Sequence, residues 1–211
     1  GDQFKPSFLK ISPNNRIPAI IDPNGPGGKP ISVFESGAIL QYLGRKSGKF
    51  YPKNERERSN VDQWLFWQMG GLGPMAGQAH HFRMYAPQFT KEKLAYAKKR
   101  YTNEVNRLYG VMNKQLKKKE YLAGRYSIAD MACWGWILPS KISMKMQGQK
   151  LKDFKYLYKW FEKVGARPAV QRGLDVGKAM RMLAKASKSG LSEKTKEAKK
   201  ARSLLFNQKA R

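Results

Sequence analysis

The sequence of 211 residues carries 42 lysine and arginine residues against 15 aspartate and glutamate residues, which gives a formal net charge of +27. Its 41% hydrophobic and 12% aromatic residues predict a globular chain with a buried core and argue against a disordered one. No apolar run approaches the ~20 residues of a membrane helix, no signal peptide opens the sequence, and a single cysteine, Cys133, excludes an internal disulfide.

The first predicted unit is a β-hairpin followed by a helix. The runs 17–22 and 31–34 are short and apolar, and a turn rich in proline and glycine separates them. The apolar spacing that follows predicts a helix from Ser36 to about Lys46. The first N–H groups of that helix have no intrahelical partner, so they are available to a carboxylate.

Pro18 restricts its strand to a sheet edge, a strand start or a bulge. If the Ile17–Pro18 peptide bond is cis, the backbone of Ile17 faces outward and can pair with an extended peptide. Together with the helix N-terminus at Ser36, this predicts a small peptide-binding edge with an anion pocket at one end. The alternative for Ser36 is that it merely caps its helix.

The rest of the chain predicts helices. A tryptophan-rich helix is expected over residues 55–82, with a kink or a close backbone approach at the glycines of 70–74. A helix over 91–118 has an apolar stripe and a lysine-rich outer face. Ser127 and Asp130 have the spacing of a helix-capping box, which is a structural role.

These segments, in the order in which they occur along the chain, resemble the bacterial nu-class glutathione transferases and their disulfide-bond reductase members. The motifs that carry the resemblance include Trp64 to Pro74 and Tyr126 to Asp130, within residues 1–175. The resemblance implies an α/β plus all-α fold with three parts: a partial thioredoxin-like domain (1–53) without its first strand–helix unit, an all-helical C-terminal domain (54–175) and a basic C-terminal extension (176–211).

The resemblance also implies a glutathione site and a homodimer. In that family the missing unit holds the Thr or Asn that activates the thiol, and nothing in residues 1–211 matches it, so no catalytic residue is predicted. No metal is predicted either, because His80 and His81 point to different helix faces. The residues that match the glutathione seat of the family are Gln3, Arg16, Ile17, Pro18, Glu35, Ser36 and Arg100.

Most of the positive charge lies after residue 90. Solvent-exposed helix faces would explain scattered lysines. They do not explain why acidic residues are scarce, because pairs of opposite charge stabilise exposed helices. A polyanion, RNA above all, is therefore the expected partner. The expected phosphate contacts are Lys93, Lys98, Lys99, Lys114, Lys117, Lys118, Lys141, Lys145, Lys196, Lys199, Lys200 and Arg202.

Two functions follow from these observations. The first is a non-catalytic, RNA- and protein-binding structural subunit of a large ribonucleoprotein, such as an intracellular, mitochondrial ribosome. The alternative is an active glutathione-dependent transferase or disulfide-bond reductase whose N-terminal residues precede this sequence. The missing thiol-activating segment and the concentrated charge favour the first.

Overall fold

The computed structural model describes residues 1–176. The described chain divides into two compact units, one of residues 18–165 and one of residues 1–17 and 166–176. The predicted domain boundary at residue 53 stays a prediction, and the predicted extension lies almost entirely outside the described residues. The α-helices are α1 (Pro6–Leu9), α2 (Ser36–Ser47), α3 (Glu55–Trp67), α4 (Gly73–His80), α5 (Ala95–Lys118), α6 (Ile128–Ile142), α7 (Met144–Gln147), α8 (Lys155–Gly165) and α9 (Pro168–Asp175).

The predicted fold class is confirmed: a small β-sheet with its helix is followed by a helical region. Strands β1 (Ala19–Asp22) and β2 (Ile31–Phe34) pair antiparallel, with Ala19 opposite Phe34. Their connection includes a 3-10 turn at Pro26–Gly28, in which Gly27 and Gly28 have φ of 66° and 72°, a conformation that glycine adopts without steric cost.

Helix α2 is fastened to the hairpin through Asp22, the last residue of β1. The hydroxyl of Tyr42 donates to its Oδ2 atom at 2.5 Å, and the ammonium group of Lys46 contacts the same oxygen. These bonds join strand and helix at the end of β1 where the turn begins. At its C-terminus, α2 stops at Gly48, which is left-handed with φ of 66°.

The tryptophan-rich segment remains helical but changes its hydrogen-bonding pattern twice. After α3, a π-helical stretch covers Gln68–Leu72, and a second one covers His81–Tyr85 after α4. The glycines and the proline of this segment are thus accommodated without a break in the helix. Stretches of π-helix are rare and frequently occur at functional sites.

Helix α5 begins later than the sequence predicts. Leu94 has a left-handed backbone with φ of 49°, so the helix starts at Ala95 and not at about residue 91. Its apolar stripe is buried as predicted at Val105, Leu108, Met112 and Leu116, and Tyr109 lies in the core beside them.

A buried carboxylate organises the start of α6. Asp130 accepts hydrogen bonds from the backbone N–H and hydroxyl of Ser127 at 3.0 and 3.2 Å, which forms a capping box. It also accepts from the backbone of Leu122 at 3.1 Å and from the indole of Trp160 at 2.9 Å. Burial raises the pKa of this carboxyl, and the donated bonds act in the opposite direction. None of the described helices is long and apolar enough to span a membrane.

Candidate functional site

The N-terminus of α2 presents uncapped N–H groups. The first helical hydrogen bond runs from the N–H of Ile39 to the carbonyl of Glu35 at 2.9 Å, and no side chain caps the helix. The N–H groups of residues 36–38 therefore have no acceptor among the described residues. These donors, with the positive end of the helix dipole, favour an anion at this point.

Glu35, the residue directly before the helix, has a strained backbone conformation. Its backbone has φ of 69° and ψ of 121°, and its side chain is exposed. Non-glycine residues in such regions carry strain of about 1–3 kcal/mol and cluster at ligand-binding positions. The half-buried Ser36 follows directly, so both predicted members of this pair lie at the entrance to the helix.

Ser36 and Pro18 line one open cavity of about 520 Å³. The first π-helical stretch, Gln68–Leu72, contributes Gln68 and Met69 to this cavity, and α6 contributes a wall that includes Trp136. The hydroxyl of Ser36 donates toward the thioether sulfur of Met69 at 3.8 Å. The cavity thus joins an anion-binding helix end to a largely apolar wall. The other lining residues are Ile39, Leu40, Met131, Ala132, Gly135 and Pro139.

Gln68 is the member of this cavity that the sequence analysis missed. The residue is 3% exposed, and its Oε1 atom is buried without a hydrogen-bond partner, the one such side-chain atom in the described part of the chain. Buried polar atoms in native proteins are almost always paired, so an unpaired one calls for an explanation. A polar residue inside a tryptophan-rich apolar run was the signal that could have identified it.

Three residues of the predicted glutathione seat lie in the other unit. Gln3 is half-buried in a 3-10 turn, Asp2–Phe4. Arg16 donates to the carbonyl and to the side chain of its neighbour Asn15, the first of these at 3.3 Å. Ile17 exposes 75% of its surface. Their role in ligand binding stays a prediction.

Arg100 lies in a different cavity from Ser36. It lines an opening of about 420 Å³ with Trp67, Gly70 and other residues of α3, the π-helical stretch and α5. Its guanidinium pairs with the carboxylate of Glu104 at 3.9 Å. The predicted contact of Arg100 with glutathione also stays a prediction.

The predicted phosphate-binding lysines within the described residues are spread over several surfaces. Lys93 precedes α5, and five others lie along it; all but the half-buried Lys98 are exposed. Lys141 is engaged, because its ammonium group lies 2.5 Å from a carboxylate oxygen of Glu162 and 4.9 Å from the ring centroid of Tyr158. Four of the predicted contacts, Lys196, Lys199, Lys200 and Arg202, lie outside the described residues.

The thiol of Cys133 is unsuited to chemistry. Its side chain is 0% exposed, and burial followed by the nearby charge of Asp130 raises the pKa of the thiol well above its ordinary value. A reactive cysteine needs access and a lowered pKa. Cys133 is therefore a core residue of α6.

Comparisons with known proteins identify relatives of both halves of the chain. Residues 1–45 match the family model for the glutathione S-transferase N-terminal domain, and residues 72–168 match that for the C-terminal domain. The chain is 49% identical to the disulfide-bond oxidoreductase YfcG of Escherichia coli (strain K12) over 176 residues, which are 82% of this chain and 78% of the relative. It is 40% identical to the disulfide-bond oxidoreductase YghU of the same strain, over 82% of this chain and 59% of the relative.

A solved structure shows the same fold. The crystal structure of a glutathione transferase from Burkholderia graminis, with two glutathione molecules bound per subunit, matches with a TM-score of 0.76 and 44% sequence identity. The match covers 82% of this chain and 72% of that chain.

These findings overturn the first predicted function. The similar proteins are disulfide-bond oxidoreductases and glutathione transferases, and nothing among the findings indicates an RNA-binding, ribosomal or mitochondrial structural subunit. The prediction was wrong because it took net charge as evidence of a specific partner. Net charge governs solubility and non-specific association, whereas function follows from the site.

Proposed function

The chain belongs to the glutathione S-transferase family, and from this premise we propose that it binds glutathione and reduces disulfide bonds with it. Three observations support the proposal: the 49% identity to a disulfide-bond oxidoreductase, the cavity shared by Pro18 and Ser36, and the uncapped N-terminus of α2 beside it. The shared cavity is the observation that carries the proposal, because it brings the predicted seat residues of the hairpin and of α2 together.

In the proposed complex, the γ-glutamyl end of glutathione binds at the start of α2. Its carboxylate accepts hydrogen bonds from the N–H groups of residues 36–38 and from the hydroxyl of Ser36. In this arrangement the thiol is directed into the cavity, toward the side that Met69 and Trp136 line.

The proposed chemistry is thiol–disulfide exchange. The glutathione thiolate attacks one sulfur of the substrate disulfide, a mixed disulfide forms, and the other substrate sulfur leaves as a thiolate. A second glutathione thiolate resolves the mixed disulfide, so that glutathione disulfide and the second substrate thiol are released. The chain's contribution is to position the reacting sulfurs and to surround them with apolar groups such as Met131 and Pro139.

We also propose that the chain forms a homodimer. Phe66 on α3 exposes 65% of its surface and borders the cavity that contains Trp67 and Arg100. An exposed aromatic residue of this kind is a common anchor of protein interfaces. Light scattering after size-exclusion chromatography should give the mass of two chains, and Phe66→Lys should shift it to one. A single-chain mass for the unchanged protein would refute the dimer.

Calorimetric titration tests the glutathione site. We expect the chain to bind reduced glutathione, and Ser36→Ala to weaken binding about tenfold, because a hydrogen bond to a charged group is lost. Ser47→Ala, at the other end of α2, serves as the matched control and should leave the affinity unchanged. Reduction of bis(2-hydroxyethyl) disulfide by the protein with glutathione tests the activity. Absence of heat with millimolar glutathione would refute the proposed site.

A further inference from the structure

A cavity of about 470 Å³ lies where the segment after α2 meets the helical region, and we name it the linker cavity. Its walls are residues 48–52, the first two turns of α3 and residues 123–127 before α6, all within the unit of residues 18–165. Among the described residues, it shares none of its lining with the cavity beside Ser36. Its volume is in the range of small-molecule sites, so it is a separate candidate for ligand binding.

Two aromatic side chains form an apolar wall of the linker cavity. The rings of Phe50 and Tyr126 meet edge to face, with their centroids 5.6 Å apart. The buried Tyr121 supports this pair, because its ring lies edge-on to that of Tyr126 at 5.5 Å. Phe50, by contrast, exposes 44% of its surface. A flat apolar group of a ligand can pack against rings that are fixed in this way.

The backbone of Phe50 is strained. Its φ of 63° is left-handed, which makes it an outlier for a bulky side chain. Its carbonyl accepts a hydrogen bond from the N–H of Ile128 at 3.0 Å, so the start of α6 holds the residue in this conformation. Strained residues cluster at ligand-binding positions, and here the strain places a partly exposed aromatic ring at the cavity.

The linker cavity also presents two opposite charges, Glu57 and Arg125. Both side chains are exposed, and within the described part of the chain neither makes an ion pair or a hydrogen bond. Glu55, two residues before Glu57, pairs with Arg58 at 3.5 Å. The helix dipole favours a carboxylate in the first turn of α3, but it does not account for a cation in the same cavity.

The sum of these two charges is informative. The other residues of the lining are uncharged, so the lining is formally neutral, although the whole chain carries a net charge of +27. A ligand with one negative charge would leave Glu57 without a partner, and a ligand with one positive charge would leave Arg125 without one. Complementarity to both charges requires a ligand that carries both signs.

We propose that the linker cavity binds a free α-amino acid with an aromatic side chain. The ammonium group of the ligand pairs with Glu57, and its carboxylate accepts hydrogen bonds from the guanidinium of Arg125. Its ring packs against Phe50 and Tyr126. The inference goes beyond the proposed function, because it concerns a second ligand class in a different cavity.

Calorimetric titration with L-phenylalanine and two analogues tests the proposal. 3-Phenylpropanoate lacks the ammonium group, and phenethylamine lacks the carboxylate. L-Phenylalanine should bind about fivefold more tightly than either analogue, because each of them loses one ion pair at a solvent-exposed rim. Each titration is made with and without reduced glutathione, and the affinity for L-phenylalanine should be the same in both.

Two substitutions assign the charges. Glu57→Gln should abolish the preference for L-phenylalanine over 3-phenylpropanoate and retain the preference over phenethylamine. Arg125→Met should do the reverse. Glu55→Gln is the matched control, because it removes the same charge from the same turn of α3 outside the cavity lining, and it should leave both preferences unchanged.

A third substitution tests the location. Asn60→Trp places a bulky ring in the lining of the linker cavity and should abolish the binding of L-phenylalanine. Gln63→Trp adds the same ring at an exposed position of α3 outside the lining, and it should leave the binding intact.

Several results would overturn the inference. They are a lack of binding of L-phenylalanine, an affinity no higher than those of the analogues, and an equal loss for all three ligands in Glu57→Gln. Displacement of L-phenylalanine by reduced glutathione would also overturn it, because the two ligands would then share one cavity. None of these results bears on whether glutathione binds at the start of α2, so the proposed function would stand or fall by its own titration.

Discussion

The hydroxyl of Ser36 and the thioether sulfur of Met69 lie 3.8 Å apart, so the side chain of a π-helical residue rests on the start of α2. A Cβ atom on Gly37 would lie 3.1 Å from the terminal methyl of Met69, which shows how closely the two elements approach. The thioether is a weak acceptor that any stronger ligand atom can replace.

Met69→Leu should therefore preserve folding and slightly favour ligand binding. Leucine fills a similar volume, so the cost in stability should stay below about 1.5 kcal/mol. It offers no acceptor to Ser36, whose hydroxyl is then free, and the affinity for glutathione should rise by up to about twofold. Calorimetric titration measures this change. A weakened affinity would show that the sulfur contributes to the ligand site.

The carboxyl of Asp22 should titrate far below its ordinary range. The Lys46 ammonium, together with the Tyr42 hydroxyl, lowers the pKa of Asp22 to about 2. Because the pKa is lower in the folded state, the stabilisation is complete above the unfolded value of about 3.8 and is lost as the pH falls through about 2.

An NMR titration of the carboxyl carbon of Asp22 checks this expectation. Lys46→Met should move the midpoint upward toward 3.8. Tyr42→Phe should move it less, because the hydrogen bond from Lys46 lowers the pKa of Asp22 more than the hydrogen bond from Tyr42 does. Lys49→Met changes an exposed charge just beyond α2 and should leave the midpoint where it is. An unperturbed midpoint in the unchanged protein would contradict the contact between strand and helix.

Asp130→Asn should be among the most destabilising conservative changes in the chain. The amide nitrogen would face N–H donors of Ser127, Leu122 or Trp160, so at least one buried donor would lose its acceptor. We expect a loss of about 3 kcal/mol in the free energy of unfolding, measured with urea. Asp153→Asn, at an exposed ion pair, is the control and should cost less than about 0.5 kcal/mol. Equal effects would argue against the capping network.

Cys133 should be inert in the folded protein. Its burial and raised pKa predict no reaction with a thiol reagent at pH 8 until denaturant is added. Cys133→Ala should also retain the ability to reduce disulfides, because the proposed exchange uses the thiol of glutathione. Rapid labelling of the native protein, or loss of activity in the variant, would reassign this residue to the reaction.

Local patterns in the sequence predicted much of the fold. The hairpin, the start of α2 and the apolar stripe of α5 depend on neighbouring residues, and the structure places them as expected. The delayed start of α5 follows from the left-handed backbone of Leu94. Leucine rarely adopts this conformation, so the sequence did not indicate it.

The site was predicted less completely, because its geometry depends on residues that are distant in sequence. Pro18 and Ser36 could be expected from the resemblance, whereas Gln68 and Trp136 meet at Gly73 through the packing of α6 on the π-helical stretch. The function was mispredicted for the opposite reason: the charge could be counted from the sequence, but none of the described residues that line the cavity beside Ser36 is basic.

Strand β1 exposes an apolar side chain, because Ile21 shows 60% of its surface to solvent. Exposed apolar groups tend to associate with those of another molecule. A net charge of +27 opposes that encounter at low ionic strength. Because the range of charge repulsion falls from ~10 Å at 0.1 M salt to ~3 Å at 1 M, concentrated salt should turn a well-dispersed protein into one that precipitates.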